Sequence, residues 1–506
     1  MESIKYPLGY GRSLSRIVKI GDLKLGGGFP IRIQSMLSSP TSDVTGCFNE
    51  IRALDKAGCE MIRLTVPSRR DLAAVPDIRR LMREEGIVRP LIADVHFSPQ
   101  LAVDACEFFE KVRINPGNYS DRPKSAAGKQ ERSNFEEGYE KLRDAIVPLV
   151  RNLKKYHRAL RIGVNHGSLS SRMIEQYGDS PSGMVASALE MIELFESQGF
   201  DQLVVSLKSS NPIIVQKAYR LLVEQHTDDI PVALHLGVTE AGNDMMGRIK
   251  SLVGIGVLLA DGLGDTIRVS LTEPGPNEIE FAKTLIQSIF DSSLVASVDK
   301  GDWERPLNHR GVINRQSKAD GLILGGQSGL KIGQAESSRL PDCEFKFESD
   351  FVYRISNEDI YINGQPQPLY IITDDSIGDL IPEDSSQCVA VLDQSRVPLH
   401  RLRTIYHKIK TGRAGLPIGL MVPVTPEKEN LFQEIQLAGV LSEGLVDFLL
   451  VPEKISSTAL TRLLCLLQAT RARMITTDYI ICPSCGRTLF DIEKTAAEIK
   501  RHTDHL

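Results

Sequence analysis

The sequence predicts an α/β protein with an N-terminal (β/α)8 TIM barrel, an inserted α/β middle domain and the start of a small C-terminal domain. Three observations carry this. Eight short apolar runs recur within the first 290 residues. Each ends on a polar residue, and each is followed by a stretch with helical periodicity. Runs of 4–8 apolar, often β-branched residues are what parallel strands buried on both faces look like. Eight such units in about 250 residues is the usual size of a TIM barrel, whereas a doubly wound sheet of eight units would be unusually wide.

The runs are, in order, "IRIQSM" (31–36), "MIRLTV" (61–66), "PLIADVHF" (90–97), "KVRINPGN" (111–118), "LRIGVNHG" (160–167), "LVVSLKSS" (203–210), "VALHLGVTEAG" (232–242) and "TIRVSLT" (266–272). Helices separate them. In "DVTGCFNEIRALDKAG", Val44, Cys47, Ile51 and Leu54 form one apolar stripe, and Gly58 follows as a stop signal. In "SPSGMVASALEMIELFESQGF", Ser180 is the N-cap, Pro181 takes the first helical position, and Met184, Ala188, Met191, Ile192 and Phe195 share a face. After "EIEFAKTLIQSIF" the pattern changes. Residues 301–345 are polar and glycine-rich, and "FVYRISNEDIYINGQPQPLYIIT" alternates like exposed strands. From Gln387 β-α units return: "CVAVLD", a helix to about Lys410, "PIGLMVPV", a helix around Phe432, "DFLLVP" and a helix through Leu467. The expected domains are 1–292, 293–476 and 477–506, the middle one a spacer or docking domain without a catalytic constellation.

In a TIM barrel the C-terminal strand ends build the active site. Here those positions hold Gln34, Arg63, Asp94, His96, Arg113, Asn115, Arg161, Asn165, His166, Lys208, His235, Glu240, Arg268 and Ser270. A single charge at a strand end is ordinarily just solvated. Five cations on five strands, Arg63, Arg113, Arg161, Lys208 and Arg268, would converge on one mouth and repel each other. An anionic ligand relieves that repulsion, and guanidinium forks match phosphate oxygens. Gly262 and Gly264, before the eighth run, add a weak phosphate-loop signal. The ligand expected from the residues alone is phosphorylated or diphosphorylated.

Composition narrows the rest. Apolar residues make up 42% and charged residues 25% of the chain, as in ordinary globular protein. A formal charge of −5 does not suit a nucleic-acid partner. No apolar run approaches the ~18 residues of a membrane span, and the N-terminus lacks a signal-peptide core. Cys47, Cys59, Cys106, Cys343, Cys388 and Cys465 stand singly among apolar neighbours, as small core residues do. A reduced, bacterial cytoplasmic location is expected. The last two cysteines differ: Cys482 and Cys485, in "CPSCG", have the bite of a metal chelate. Half a zinc ribbon is the first reading, and iron–sulfur ligation the second. His502 and His505 are too closely spaced to complete a zinc site and fit the exposed end of an amphipathic helix.

Taken together, "IRIQSM", "MIRLTVPS", "ADVHFS", "KVRINPGN", "RIGVNHGSL", "VSLKSSN", "HLGVTEAG", "DGLGDTIRVSLT" and "CPSCGRTLFD" closely resemble, in order, the (E)-4-hydroxy-3-methylbut-2-enyl diphosphate synthases of the methylerythritol phosphate route to isoprenoids. The resemblance covers residues from about 16 to 290 and again from 478 onward, and the insertion resembles the long, three-domain form. It implies an oxidoreductase that opens 2-C-methyl-D-erythritol 2,4-cyclodiphosphate with two electrons and loss of water. It implies substrate binding by Arg63, Arg113, Arg161, Asn165, Lys208, Arg268 and Ser270, and Glu240 near the reacting carbon. It further implies a [4Fe-4S] cluster reduced by ferredoxin or flavodoxin, and is compatible with a homodimer. Cys482 and Cys485 match the first two cluster ligands. The family's third cysteine and its glutamate belong to a "G-C-x-V-N-G-P-G-E" segment expected beyond Leu506, so this chain is expected to bind substrate without holding a complete cluster. A phosphate-binding barrel with structural zinc at the tail is the competing expectation.

Overall fold

A computed structural model describes residues 14–119 and 135–290 except 227, 229 and 243, several strands between 316 and 393, the single positions 403 and 406, and residues 418–422, 431–451, 455–481 and 492–503. By contacts the chain divides into two compact units. One is Gly11–Gln287 together with Tyr479–His502, and the other is chiefly Ser288–Asp478.

The first unit begins with a short antiparallel hairpin, β1 (Val18–Ile20) and β2 (Leu23–Leu25), turning at Gly21 with φ +60°. Eight parallel strands follow: β3 (Arg32–Met36), β4 (Met61–Thr65), β5 (Leu91–Asp94), β6 (Lys111–Ile114), β7 (Ala159–Asn165), β8 (Leu203–Lys208), β9 (Ala233–Leu236) and β10 (Thr266–Ile267). They close into a barrel in chain order, with β10 pairing back onto β3. Each of the eight apolar runs supplies one strand. The helices are capped as their sequences dictate: the Ser180 hydroxyl accepts from the Gly183 amide at 3.2 Å, and Pro181 opens the helix. Met184, Ala188, Met191, Ile192 and Phe195 are all buried. Cys47, Cys59, Cys106 and Cys465 are buried free thiols; burial first, with nearby carboxylates, pushes the Cys47 thiol up to about 12. Cys343 and Cys388 lie outside the described residues.

The hairpin is a floor. Val18, Ile20 and Leu25 pack with Met61, Ile92, Ala159, Val204 and Ala233, all with no exposed surface. Those five come from the first or second positions of their strands, so the hairpin seals the N-terminal end of the barrel.

In the second unit a hairpin, β11 (Gln316–Ala319) with β12 (Leu322–Gly325), precedes a closed seven-stranded sheet. Its strands are β13 (Lys331–Ala335), β14 (Phe351–Ser356), β15 (Asp359–Ile362), β16 (Gln365–Ile372), β17 (Val389–Asp393), β18 (Ile418–Met421) and β19 (Phe448–Val451). The pairs β14–β15 and β15–β16 are antiparallel and the rest parallel. Helices Leu431–Glu443 and Ser457–Ala469 occupy the positions that the β-α pattern predicts. The helix expected to end near Lys410 falls mostly outside the described residues. Helix Ile492–Thr503 leaves His502 exposed, as expected, while His505 lies outside the described residues. Among the described residues, no helix is long and apolar enough to cross a membrane.

Candidate functional site at the barrel mouth

Side chains alternate along a strand, so residues two and four beyond the floor layer face the same interior. From Met61 this leads to Arg63, from Ile92 to Asp94, from Ala159 to Arg161 and Gly163, from Val204 to Ser206 and Lys208, and from Ala233 to His235 and Gly237. β6 contributes Lys111 and Arg113, and β10 leads to Arg268. Most TIM barrels fill these layers with branched apolar side chains. Here six buried cations stand above one apolar floor: Arg63, Lys111, Arg113, Arg161, Lys208 and Arg268.

Two buried carboxylates offset part of that charge. Asp94 meets Arg113 at 3.1 Å and His96 at 3.2 Å. Burial works against the Asp94 charge, yet His96, Arg63 and Arg113 together hold its carboxyl well below the usual range. Glu278, in helix Gly275–Phe290, accepts from Ser35 Oγ at 2.8 Å and from the Leu271 amide at 3.0 Å, and lies 3.5 Å from Arg268. Its pKa is raised, because burial outweighs Arg268 and these donors. The Met36 thioether lies between Arg63 and Arg268, 3.1 Å from Arg63 Nε and 3.8 Å from Arg268 Nη1.

Arg161 is poorly compensated, with Asp94 the carboxylate that acts on it. It is 1% exposed, and its Nε and Nη1 have no hydrogen-bond partner among the described residues. Burial, then the guanidiniums of Arg63 and Arg113, push its pKa well below that of an ordinary arginine. Lys208 is shifted down in the same way by burial and by Arg161, Arg63, Arg268 and Arg113. Lys111 is shifted down by burial, Arg161 and Arg63. The buried His235 ring has neither nitrogen bonded among the described residues, and burial with Lys208, Arg161, Lys111 and Arg63 keeps it neutral. The electrostatics of such a mouth suit a multiply charged anion.

Two glycines make room for it. A Cβ on Gly163 would stand 2.2 Å from Arg113 Nε, and one on Gly237 would stand 2.7 Å from Lys208 Nζ. Arg113 is further fixed by donating from Nη2 to the Gly163 carbonyl at 3.0 Å. Gly163→Ala is therefore expected to destabilise the chain by about 1–3 kcal/mol, as overpacking does, and to weaken inorganic pyrophosphate binding. Gly237→Ala would also press on the Arg268 carbonyl oxygen, 3.0 Å from the added Cβ, and is expected to destabilise the chain by a similar amount. Paired denaturation and calorimetric titration check both, and a Gly163→Ala chain that binds pyrophosphate like the parent would refute the steric argument.

The structure brings Arg63, Arg113, Arg161, Lys208 and Arg268 together, as the strand ends predict. Asn165 ends β7 beside Lys208 in register, and Ser270 is buried two residues past Arg268. Glu240 sits half-buried on the loop after β9 with φ +55°, a conformation uncommon outside glycine. Gly262 and Gly264 correct one expectation. They precede β10, hence lie at the floor end, and Gly264 is needed because a Cβ there would meet Leu236 Cδ1 at 2.6 Å. Lys111 and Glu278 escaped the sequence reading. Lys111 begins its run rather than ending it, and Glu278 reaches the mouth from a helix. Cys482 and Cys485 lie outside the described residues, among which no group of three or more His, Cys, Asp or Glu could hold a metal ion.

A family profile described as the GcpE TIM-barrel domain matches residues 15–283. A relative from Leptospira interrogans serogroup Icterohaemorrhagiae serovar copenhageni is 34% identical, the match covering 99% of this chain and 88% of the relative. Relatives from Akkermansia muciniphila and Porphyromonas gingivalis are each 36% identical, covering 99% and 98% of this chain and 87% of each relative. All three carry the name 4-hydroxy-3-methylbut-2-en-1-yl diphosphate synthase (flavodoxin).

Proposed function

Because this chain belongs to the family of 4-hydroxy-3-methylbut-2-en-1-yl diphosphate synthases (flavodoxin), enzymes of isoprenoid biosynthesis, we propose that its barrel binds 2-C-methyl-D-erythritol 2,4-cyclodiphosphate for reductive ring opening. The balanced conversion takes up two electrons and two protons, breaks the ring carbon–oxygen bond to the diphosphate, and releases one water with 4-hydroxy-3-methylbut-2-enyl diphosphate. Reduced flavodoxin is the donor that the relatives' names suggest, with ferredoxin as its equivalent.

The observation that supports this most is Arg161, buried among cations with two donors unused among the described residues. A diphosphate offers acceptor oxygens and negative charge together, which no uncharged ligand does. In this reading Arg63, Arg113, Arg161, Lys208 and Arg268 grip the diphosphate, Asn165 and Ser270 orient it, and Glu240 faces the reacting carbon from the rim and handles its proton. Arg113 is held ready by Asp94 and the Gly163 carbonyl. In this reading residues 1–292 are the substrate-binding domain, 293–476 the inserted domain and 477–506 the opening of the cluster domain, of which Tyr479–His502 cluster with the barrel. Soft thiolates in C-x-x-C spacing suit iron, so Cys482 and Cys485 would hold part of a [4Fe-4S] cluster. When bound, that cluster supplies the low-potential single electrons that side chains cannot.

The test is anaerobic calorimetric titration of the cyclodiphosphate into the chain, with iron, zinc and acid-labile sulfide measured on the same sample. Micromolar or tighter binding competed by pyrophosphate is expected. A folded chain that ignores the cyclodiphosphate, or carries stoichiometric zinc without sulfide, would overturn the reading.

A further inference from the structure

The residues that lead into Cys482 are tied to the barrel rim, at the loop carrying Glu240. Ile481 pairs in parallel with Ala241, the residue after Glu240. Two residues earlier, the Tyr479 carbonyl accepts a hydrogen bond from Lys250 Nζ at 3.3 Å. Lys250 is 1% exposed, among the largest fully buried side chains of the protein, and lies in helix Asp244–Ser251. Burying an ammonium is costly unless it is bonded, so a lysine at this depth marks a fixed geometry.

The rim loop is hydrogen-bonded at both ends. The Thr239 amide bonds the Ser209 carbonyl at 3.1 Å, and the Thr272 amide bonds the Gly242 carbonyl at 3.1 Å. Just past Lys250 the helix widens into a π-helical stretch, Leu252–Gly256, a form frequent at functional sites. There Gly254 lies so close under the loop that a Cβ would meet Val238 Cγ2 at 2.3 Å. Helix end, loop and incoming segment thus pack together within a single compact unit.

We propose that Lys250 is a positioning residue: by holding the Tyr479 carbonyl it registers residues 479–481, the approach to Cys482, on the rim loop next to Glu240. This rests on the reading above for what the thiols do, but the docking stands on the geometry alone. Lys250 is absent from the charges that shift Arg161, Lys208 and His235 in the cationic mouth.

Hydrogen exchange on the intact 506-residue chain reads the docking directly. Lys250→Met is expected to speed exchange across 479–481 at least tenfold, with inorganic pyrophosphate affinity within twofold of the parent, and Lys250→Arg to restore most of the protection. Ile481→Pro alters the tail side without touching the barrel, and is expected to release the segment in the same way. Unchanged exchange in a folded Lys250→Met chain overturns the proposal, as does Ile481→Pro leaving the segment protected. If Lys250→Met unfolds the barrel, Ile481→Pro decides alone. Released segments in a chain that ignores the cyclodiphosphate would uphold the docking and refute only the redox reading.

Discussion

Arg161→Met is expected to weaken cyclodiphosphate binding more than tenfold while raising the melting temperature of the ligand-free chain. Both halves follow from the same side chain. Its Nε and Nη1 have no hydrogen-bond partner among the described residues and are donors that a diphosphate would satisfy, and a charge-assisted hydrogen bond is worth about 1.5–3 kcal/mol. Without ligand, its charge lies buried against Arg63 and Arg113. An apolar side chain of similar length removes that repulsion and the desolvation of a guanidinium, which is how replaced buried charges stabilise proteins. Calorimetry and thermal unfolding on one preparation read the two effects. A variant that lost binding and stability together would mean that Arg161 holds the barrel rather than the ligand.

Asp94→Asn is expected to do the opposite to the fold. Asp94 and Arg113 are both almost wholly buried, and their 3.1 Å contact is the direct compensation for Arg113. Removing one partner of such a pair leaves an uncompensated charge and costs about 3–5 kcal/mol. The carboxyl titrates below its ordinary value of 3.8 in the folded chain. Its stabilisation is therefore complete above about pH 4, where the unfolded chain is also ionised, and drains away as pH falls through the folded value. Urea denaturation at pH 7 and near pH 3 should show a large gap between parent and variant at the higher pH and a smaller one at the lower. Equal gaps at both would show that the Asp94 charge is not what stabilises the mouth.

The barrel was legible because parallel strands buried on both faces must be apolar along most of their length, and eight such runs leave few topologies. The cationic mouth was legible for a related reason: a charged residue that interrupts or ends a run buried on both faces can point only into the barrel interior or its open end. Arg63, Arg113, Arg161, Lys208 and Arg268 all announce themselves this way. What stayed hidden involves contacts across sequence. The floor hairpin is two three-residue strands, too short for any periodicity, and its apolar partners lie up to 215 residues away, as for Val18 and Ala233. Glu278 needs the closing helix to be in place before it can meet Arg268. Lys250 reads as an ordinary charge on a helix until the tail folds back upon it.

The floor has a kinetic consequence. Because Val18, Ile20 and Leu25 stop one end of the barrel with hydrocarbon, field lines from six interior cations leave by the other end alone. A low-dielectric tube closed at its base concentrates potential at its opening. The molecule as a whole carries a formal charge of −5, so at long range it repels a polyanion, yet within about a Debye length, ~8 Å at physiological ionic strength, its mouth attracts one. Association of the cyclodiphosphate should accordingly slow as salt is added, although the sign of the net charge alone argues that it should quicken.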